Sequence, residues 1–220
     1  MVLRELSFST TKMDFATLTP ALEMKGAPIP CAAFENCAIR TSVDAGTVLS
    51  QEGMDVEFVH YLKNGLVKRM AHSEEGKEIL INLQGPDSFV GAFPVLLHEA
   101  SSTKTIALTH TTMLSISASD FRRLHAHDCS CASWMSRVLS RELRISLEHH
   151  LLLKIPQARR RVELFFSGIL PSYTNDPLPS MLKQFEIAQL LNITPEHLSR
   201  ILRQLHKEGM VPQTASRIQV

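Results

Sequence analysis

Glu196, Ser199, Arg200 and Arg203 recur at the three- and four-residue spacing of one helix face. Leu198, Ile201, Leu202 and Leu205 occupy the i, i+3, i+4, i+7 positions of another. A helix that packs by its apolar flank and turns carboxylate, hydroxyl and guanidinium groups outward suits the major groove of DNA. There arginine donates two bonds to guanine O6 and N7, glutamate accepts from cytosine N4, and serine serves several bases. Periodicity alone leaves a second reading open, an ordinary amphipathic helix with a solvated face. Thr194 is a good N-cap and Pro195 suits the first helical turn, so the spacing predicts a helix over 195–207. A second predicted helix over 183–191 precedes it across Asn192-Ile193-Thr194, which is helix-turn-helix spacing.

A second constellation is His125-Ala126-His127-Asp128-Cys129-Ser130-Cys131. Three readings of it stay open. It offers metal ligands in His125, His127, Cys129 and Cys131, or redox-active thiols in Cys129 and Cys131 together with Cys31 and Cys37. It also reads as a helix start, with Asp128 as N-cap, exposed histidines and two small buried thiols. Elsewhere the chain shows neither a nucleophile–base arrangement nor a glycine-rich phosphate loop, so enzymatic chemistry is not expected.

The surrounding elements follow from texture. Of the 220 residues, 44% are hydrophobic and 20% charged, which excludes disordered and collagenous chains. No apolar run approaches the ~20 residues of a membrane span, the N-terminus is too polar for a signal peptide, and four cysteines fit a reducing cytoplasm. Net charge is −3 over 1–125, +1 over 126–155 and +3 over 156–220, placing the basic excess at the end that carries the candidate DNA helix. Some helix is predicted over 14–24. Short apolar stretches at 47–49, 57–62, 66–70, 79–83, 106–108 and 113–116 alternate with turn residues, as in an antiparallel sandwich or barrel. Asn64-Gly65 among these turns predicts a hairpin. A short helix to about His125, capped by Ser119 or Asp120, leads to a long one capped by Asp128 and ending before Pro156. In the long helix Met135, Leu139, Leu143, Leu147 and Leu151 form one ridge, and Val138, Ile145 and Leu152 recur every seven residues beside it. Its own sheet would cover one stripe and a second copy the other. A third helix is predicted over 157–167, followed by a polar loop.

The run Phe185-Glu186-Ile187-Ala188-Gln189-Leu190-Leu191-Asn192-Ile193-Thr194-Pro195-Glu196-His197-Leu198-Ser199-Arg200 and the later Leu205-His206-Lys207-Glu208-Gly209 resemble the winged helix-turn-helix of the CRP/FNR family of bacterial transcription regulators. Ala45-Gly46-Thr47-Val48-Leu49-Ser50-Gln51-Glu52-Gly53, Tyr61-Leu62-Lys63-Asn64-Gly65 and Gly76-Lys77-Glu78-Ile79-Leu80 resemble that family's β-roll. The resemblance implies an α+β chain in three parts. Residues 1–125 would form a leader and an antiparallel, jelly-roll-like β-roll of the cyclic-nucleotide-binding type. Residues 126–155 would form a dimerisation helix bearing Met135, Val138, Leu139, Ile145 and Leu152, and 156–220 a winged helix-turn-helix. It further implies a cytoplasmic homodimer on double-stranded DNA, with RNA polymerase as a further partner. Glu196, Ser199 and Arg200 match the Glu-x-x-Ser-Arg pattern of the FNR branch, implying a TTGA-type half-site; Pro195 stands where the CRP branch often has an arginine. Backbone-contact candidates are Lys183, Gln184, Arg203 and Arg217. Arg159-Arg160-Arg161 reads instead as a run pairing with surface carboxylates.

The effector site that the resemblance implies is altered. Cyclic-nucleotide-binding relatives carry a Gly-Glu step and, about ten residues on, an Arg-Ser pair. Here those slots hold Gly91-Ala92 and Ser101 or Ser102, and of two hydroxyls on the long helix only Ser146 remains. A buried phosphate without its cation is costly, so cyclic AMP is not expected. The iron–sulfur branch uses three N-terminal cysteines and one in the roll. Here Cys31 and Cys37 supply one spacing, Cys37 falls at the start of a strand, and the fourth slot is Ser115, so a cluster is not expected. An unidentified small-molecule effector remains compatible with the pocket. The competing reading is a small-molecule- or redox-sensing β-roll, or an interaction protein built on the long helix, whose DNA-binding role is minor or lost.

Overall fold

The computed structural model describes residues 30–166 and 182–210. The expected helix over 14–24, the polar loop and the end of the winged helix-turn-helix beyond residue 210 lie outside them. Eight strands form two four-stranded antiparallel sheets. One has the order β1 (Ile39–Val43), β8 (Thr111–Ser117), β3 (Phe58–Asn64), β6 (Phe89–Val90), and the other β2 (Val48–Ser50), β7 (Lys104–Ala107), β4 (Val67–His72), β5 (Glu78–Gln84). Leu62, Val67, Val90 and Met113 pack together as a small core of both sheets.

The Asn64-Gly65 turn departs from the hairpin expectation. It carries the chain from the first sheet to the second, and β3 pairs with β8 and β6 instead of β4. Only Gly65 there has positive φ, at 95°, so the two-residue hairpin geometry is not met. A Cβ at Gly65 would lie 2.5 Å from Thr111 Oγ1, which demands glycine where the chain changes sheets.

Short helices close the roll. In α1 (Ala32–Cys37), Phe34 meets Tyr61, Phe89, Phe121 and Trp134 in an aromatic cluster, mostly edge-on or tilted. Cys37 ends this helix and does not begin a strand. After α2 (Ala92–Leu97) and the remaining strands comes α3 (Ala118–His127), whose N-cap is Ser117, since its Oγ accepts from Asp120 N at 3.1 Å. Ser119 and Asp120, the expected caps, lie inside the first turn. Asp128 caps α4 (Cys129–Leu153) as expected, accepting from Cys131 N at 2.9 Å. The remaining helices are α5 (Ala158–Leu164), α6 (Gln184–Leu190) and α7 (Pro195–Lys207).

A second core joins the β-roll sheets to the C-terminal helices. Leu66, Met70, Leu80 and Leu83 pack with Leu152, Ile155, Ile187, Leu190, Leu198 and Leu202. Polar contacts fix the register of this joint. Lys68 pairs with the buried Glu186, Gln189 Oε1 accepts from Leu80 N at 3.0 Å, and its Nε2 donates to Glu78 O at 3.3 Å. Strand β5 ends its sheet, so the Gln189 amide occupies bonding groups that an edge would otherwise leave open.

Cys31 and Cys131 form a disulfide, with Cα atoms 5.5 Å apart, that ties the start of α1 to the first turn of α4. Cys131 is therefore not the buried free thiol expected, while Cys37 and Cys129 are free and exposed. The bond closes a long loop, so reduction should cost about 2–5 kcal/mol of stability. Thermal denaturation with and without dithiothreitol checks this, and an unchanged midpoint would contradict it.

Candidate nucleic-acid interface and effector cleft

Thr194 Oγ1 accepts from His197 N at 3.2 Å and starts α7 at Pro195, as its sequence dictates. Leu198, Ile201, Leu202 and Leu205 are buried, while Glu196, Arg200 and Arg203 face solvent with Ser199 half-buried between them. The two faces expected from periodicity are thus physically separated. Hydrogen bonds from its own backbone amide and from the Thr194 hydroxyl hold the Glu196 carboxyl below its ordinary range. It is an ionised acceptor at neutral pH. Arg200, Arg203, Gln204, His206 and Lys207 line an open hollow of about 380 Å³ at the other end of the helix. Lys183 stands exposed before α6 with half-buried Gln184 beside it. Arg217 lies outside the described residues.

The turn before α7 depends on two residues. Asn192 takes φ 50°, a left-handed conformation that asparagine tolerates. Arg161 is buried, and its guanidinium donates to Ile155 O (2.6 Å), Leu191 O (3.0 Å) and Asn192 O (3.3 Å). It gathers carbonyls from both sides of the joint. Of the three-arginine run, Arg159 and Arg160 do pair with carboxylates, on Glu163 and Glu208, but Arg161 corrects the surface reading. His149 adds a tie from α4, with Nε2 2.9 Å from Leu190 O; burial lowers its pKa and keeps it neutral.

On the other side of β5 lies a cleft of about 240 Å³ between the second sheet and α4. Arg69, Asn82, Gln84, Phe93, Glu142 and Ser146 are among the residues lining it. Glu142 accepts from Phe89 N at 2.6 Å and from Gln84 Nε2 at 3.3 Å, pinning α4 to the roll. Burial nevertheless pushes its carboxyl up to about 7. At the rim, Asp87 accepts from Tyr61 Oη at 2.8 Å and stands 3.7 Å from Arg141.

Residues 40–128 match the family model for a cyclic nucleotide-binding domain, and 149–220 the one for a Crp-like helix-turn-helix domain. The chain belongs to the CRP/FNR family of transcription regulators. It is 21% identical over 189 residues to a probable transcriptional regulator, flp, of Lacticaseibacillus casei, covering 86% of each chain. It is 25% identical over 158 residues to the cyclic AMP receptor protein of Thermus thermophilus, covering 70% of each. The fold is similar to that of FixK2 from Bradyrhizobium japonicum, with TM-score 0.64 and 22% identity over 78% of this chain and 86% of that one.

In this CRP/FNR protein the cleft is not centred where the family pattern predicts. Ser146 lines it, but Gly91, Ala92, Ser101 and Ser102 do not. Gly91 is pressed against the roll, since an added Cβ would lie 2.8 Å from Val56 Cγ1. Ser101 is buried, with its hydroxyl bonded to Thr103 O at 2.7 Å, and Ser102 is exposed. The polar residues that do line the cleft, Arg69, Asn82, Gln84 and Glu142, were missed. Their signal was a cation and two amides within strands, and an acid at the middle of the long helix between its apolar stripes.

The long helix divides its apolar residues differently from the predicted set. Met135 and Val138 are buried in the aromatic core and Leu152 in the interdomain core, so these three face their own chain. Leu139 and Ile145 are half-buried, while Leu143 and Leu147 are 61% and 55% exposed. Among the described residues no three of His, Cys, Asp or Glu cluster to hold a metal, and Cys131 is taken by the disulfide, so His125, His127, Cys129 and Cys131 do not assemble a site.

Glu142 gives a pH test. Its folded pKa of about 7 lies above the ordinary 4.5, so it favours the folded state only while protonated. Stability from this group is full below pH 4.5 and is lost as pH rises through 7, by on the order of 3 kcal/mol. The stability of Glu142→Gln relative to the native chain should therefore increase between pH 4.5 and 7, then level off. Denaturant titrations at several pH values check this, and a difference independent of pH would contradict it.

Proposed function

We propose that this CRP/FNR protein is a homodimeric transcription regulator that reads a near-palindromic site with TTGA-type halves through Glu196, Ser199 and Arg200. The observation carrying this is the two-faced α7, whose leucine flank is buried while Glu196 and Arg200 project into solvent with Ser199 between them. Arg200 supplies the bidentate donor for guanine and Glu196 an ionised acceptor for cytosine. Lys183, Gln184 and Arg203 supply phosphate contacts around them. Arg217 belongs to the same proposal through the resemblance alone.

Dimerisation is supported by Leu143 and Leu147, one helical turn apart on α4 and open to solvent. A second copy against this ridge would place two recognition helices about 34 Å apart, one turn of the double helix. RNA polymerase is the further partner, and the protein is neither an enzyme nor a cyclic AMP receptor. The effector reading rests on the sequence: Ala92 and Ser101 or Ser102 stand where the family's nucleotide-binding carboxylate and arginine would be. An iron–sulfur cluster is also outside the proposal, because Cys31 is bound to Cys131.

A gel-shift series over single-base variants of a TTGA-containing palindrome tests the reading. Arg200→Ala should cost roughly 1–3 kcal/mol and relax preference at one base pair of each half-site. Unchanged sequence preference would remove Arg200 from base reading.

The Cys31–Cys131 bond favours a second reading, in which thiol oxidation sets DNA affinity through the position of α4. Dithiothreitol, or Cys131→Ser, should then shift operator affinity several-fold. Equal affinity in both redox states would reject that control.

A further inference from the structure

Arg69 lies opposite Asn82 on β5 and Thr105 on β7, at the point where the β4–β5 ladder shifts register. Such an irregularity re-aims a side chain locally. The Arg69 Nε donates to Thr103 Oγ1 at 3.4 Å, and the guanidinium carbon stands 5.2 Å from the centre of the Phe93 ring. No carboxylate among the described residues forms an ion pair with it. Glu142 acts on it only at longer range and is itself half-neutral near pH 7. The other charges at the cleft, Asp87 and Arg141, offset each other. A partly buried cation is therefore left short of countercharge, with its terminal nitrogens free to form a fork.

Two acceptors in the same wall also lack donors. Gln84 is oriented by bonds from its Nε2 to Phe89 O (3.1 Å) and Glu142 (3.3 Å), which leaves its buried Oε1 unpartnered. Asn82 Oδ1 is buried without a partner as well. Unmatched buried polar atoms are rare in folded proteins and cost free energy. Leu83, Pro86, Leu139 and Ile145 add an apolar stretch to the wall, beside the hydroxyls of Ser88 and Ser146.

We propose that this cleft binds a small organic monocarboxylate bearing a hydrogen-bond donor, whose carboxylate pairs with Arg69 and whose apolar body lies against Leu83, Leu139 and Ile145. A planar two-oxygen anion matches the free guanidinium fork, and a donor on the body satisfies the amide oxygens of the wall. A phosphate monoester, close to dianionic at neutral pH, would bring more charge than one cation offsets. The cleft's 240 Å³ also falls below the ~300 Å³ at which pockets for drug-sized ligands begin. The inference rests on reading the cleft as the effector site of a DNA-binding regulator, and it gives that effector a chemical class.

The test is calorimetric titration of the purified full chain with lactate, 3-hydroxybutyrate and 4-hydroxybenzoate, each against its neutral amide, and with cyclic AMP. At least one acid should bind, its amide should not, and Arg69→Gln should weaken binding by about tenfold or more. Arg69→Lys, which keeps the charge and loses the fork, should fall between. Circular dichroism confirms that the variants fold, and the acid-versus-amide comparison in the native chain stands without them. Binding of cyclic AMP instead, amides binding as well as acids, or no acid binding would each overturn the inference. The same preparations are assayed for operator preference. Selective DNA binding without acid binding overturns the ligand class alone, and acid binding without selective DNA binding overturns the regulator reading.

Discussion

Leu198, Ile201, Leu202 and Leu205 bury one flank of α7 in an apolar cluster that runs on through α6 into Leu66, Met70, Leu80 and Leu83 of the β-roll. Everything the protein presents to DNA depends on that continuity. Burying four such side chains contributes several kcal/mol, far more than any one polar contact on the outer face. The orientation of Glu196 and Arg200 is thus set by what lies behind them. Because the same cluster includes β-roll residues, α7 and the second sheet share one packed body.

Strand β5 lies between the two candidate sites. Asn82 and Gln84 line the cleft, whereas Leu80 N and Glu78 O bond Gln189 on α6. Glu142 and His149, two turns apart on α4, contact the roll and the C-terminal end of α6 respectively. A ligand that favours one arrangement of β5 and α4 over another has a short physical route to α7 through these bonds. Packed cores shift between discrete arrangements, so a differential affinity of a few kcal/mol is enough to change populations.

Helix α7 was legible because two periodic patterns coincide within thirteen residues and Thr194-Pro195 mark its start. Six strands and the Asp128 cap were legible for similar reasons. The hairpin at Asn64-Gly65 was misread because local turn chemistry cannot say which sheet the next strand joins; close approach to Thr111 decides that. The division of α4 was only half visible. Spacing showed two stripes, but which stripe the protein's own core would take depended on Phe34 and Trp134, partners far apart in sequence. Arg161 shows the same limit, since three adjacent arginines look alike until the carbonyls of a distant turn single one out. The cleft was the least legible part. Family pattern pointed to Gly91, Ala92 and the serines, whereas cross-strand pairing brings Arg69 beside Asn82, and helix packing brings Glu142 to Gln84.

The most direct measurement of the central claim is a crystal structure of the protein bound to a palindromic TTGA operator. The account predicts two copies joined along Leu143 and Leu147, with α7 of each in successive major grooves, Arg200 and Glu196 on base edges, and the leucine flank still buried. An α7 lying outside the groove, or an Arg200 turned back onto protein while the DNA is held elsewhere, would contradict it.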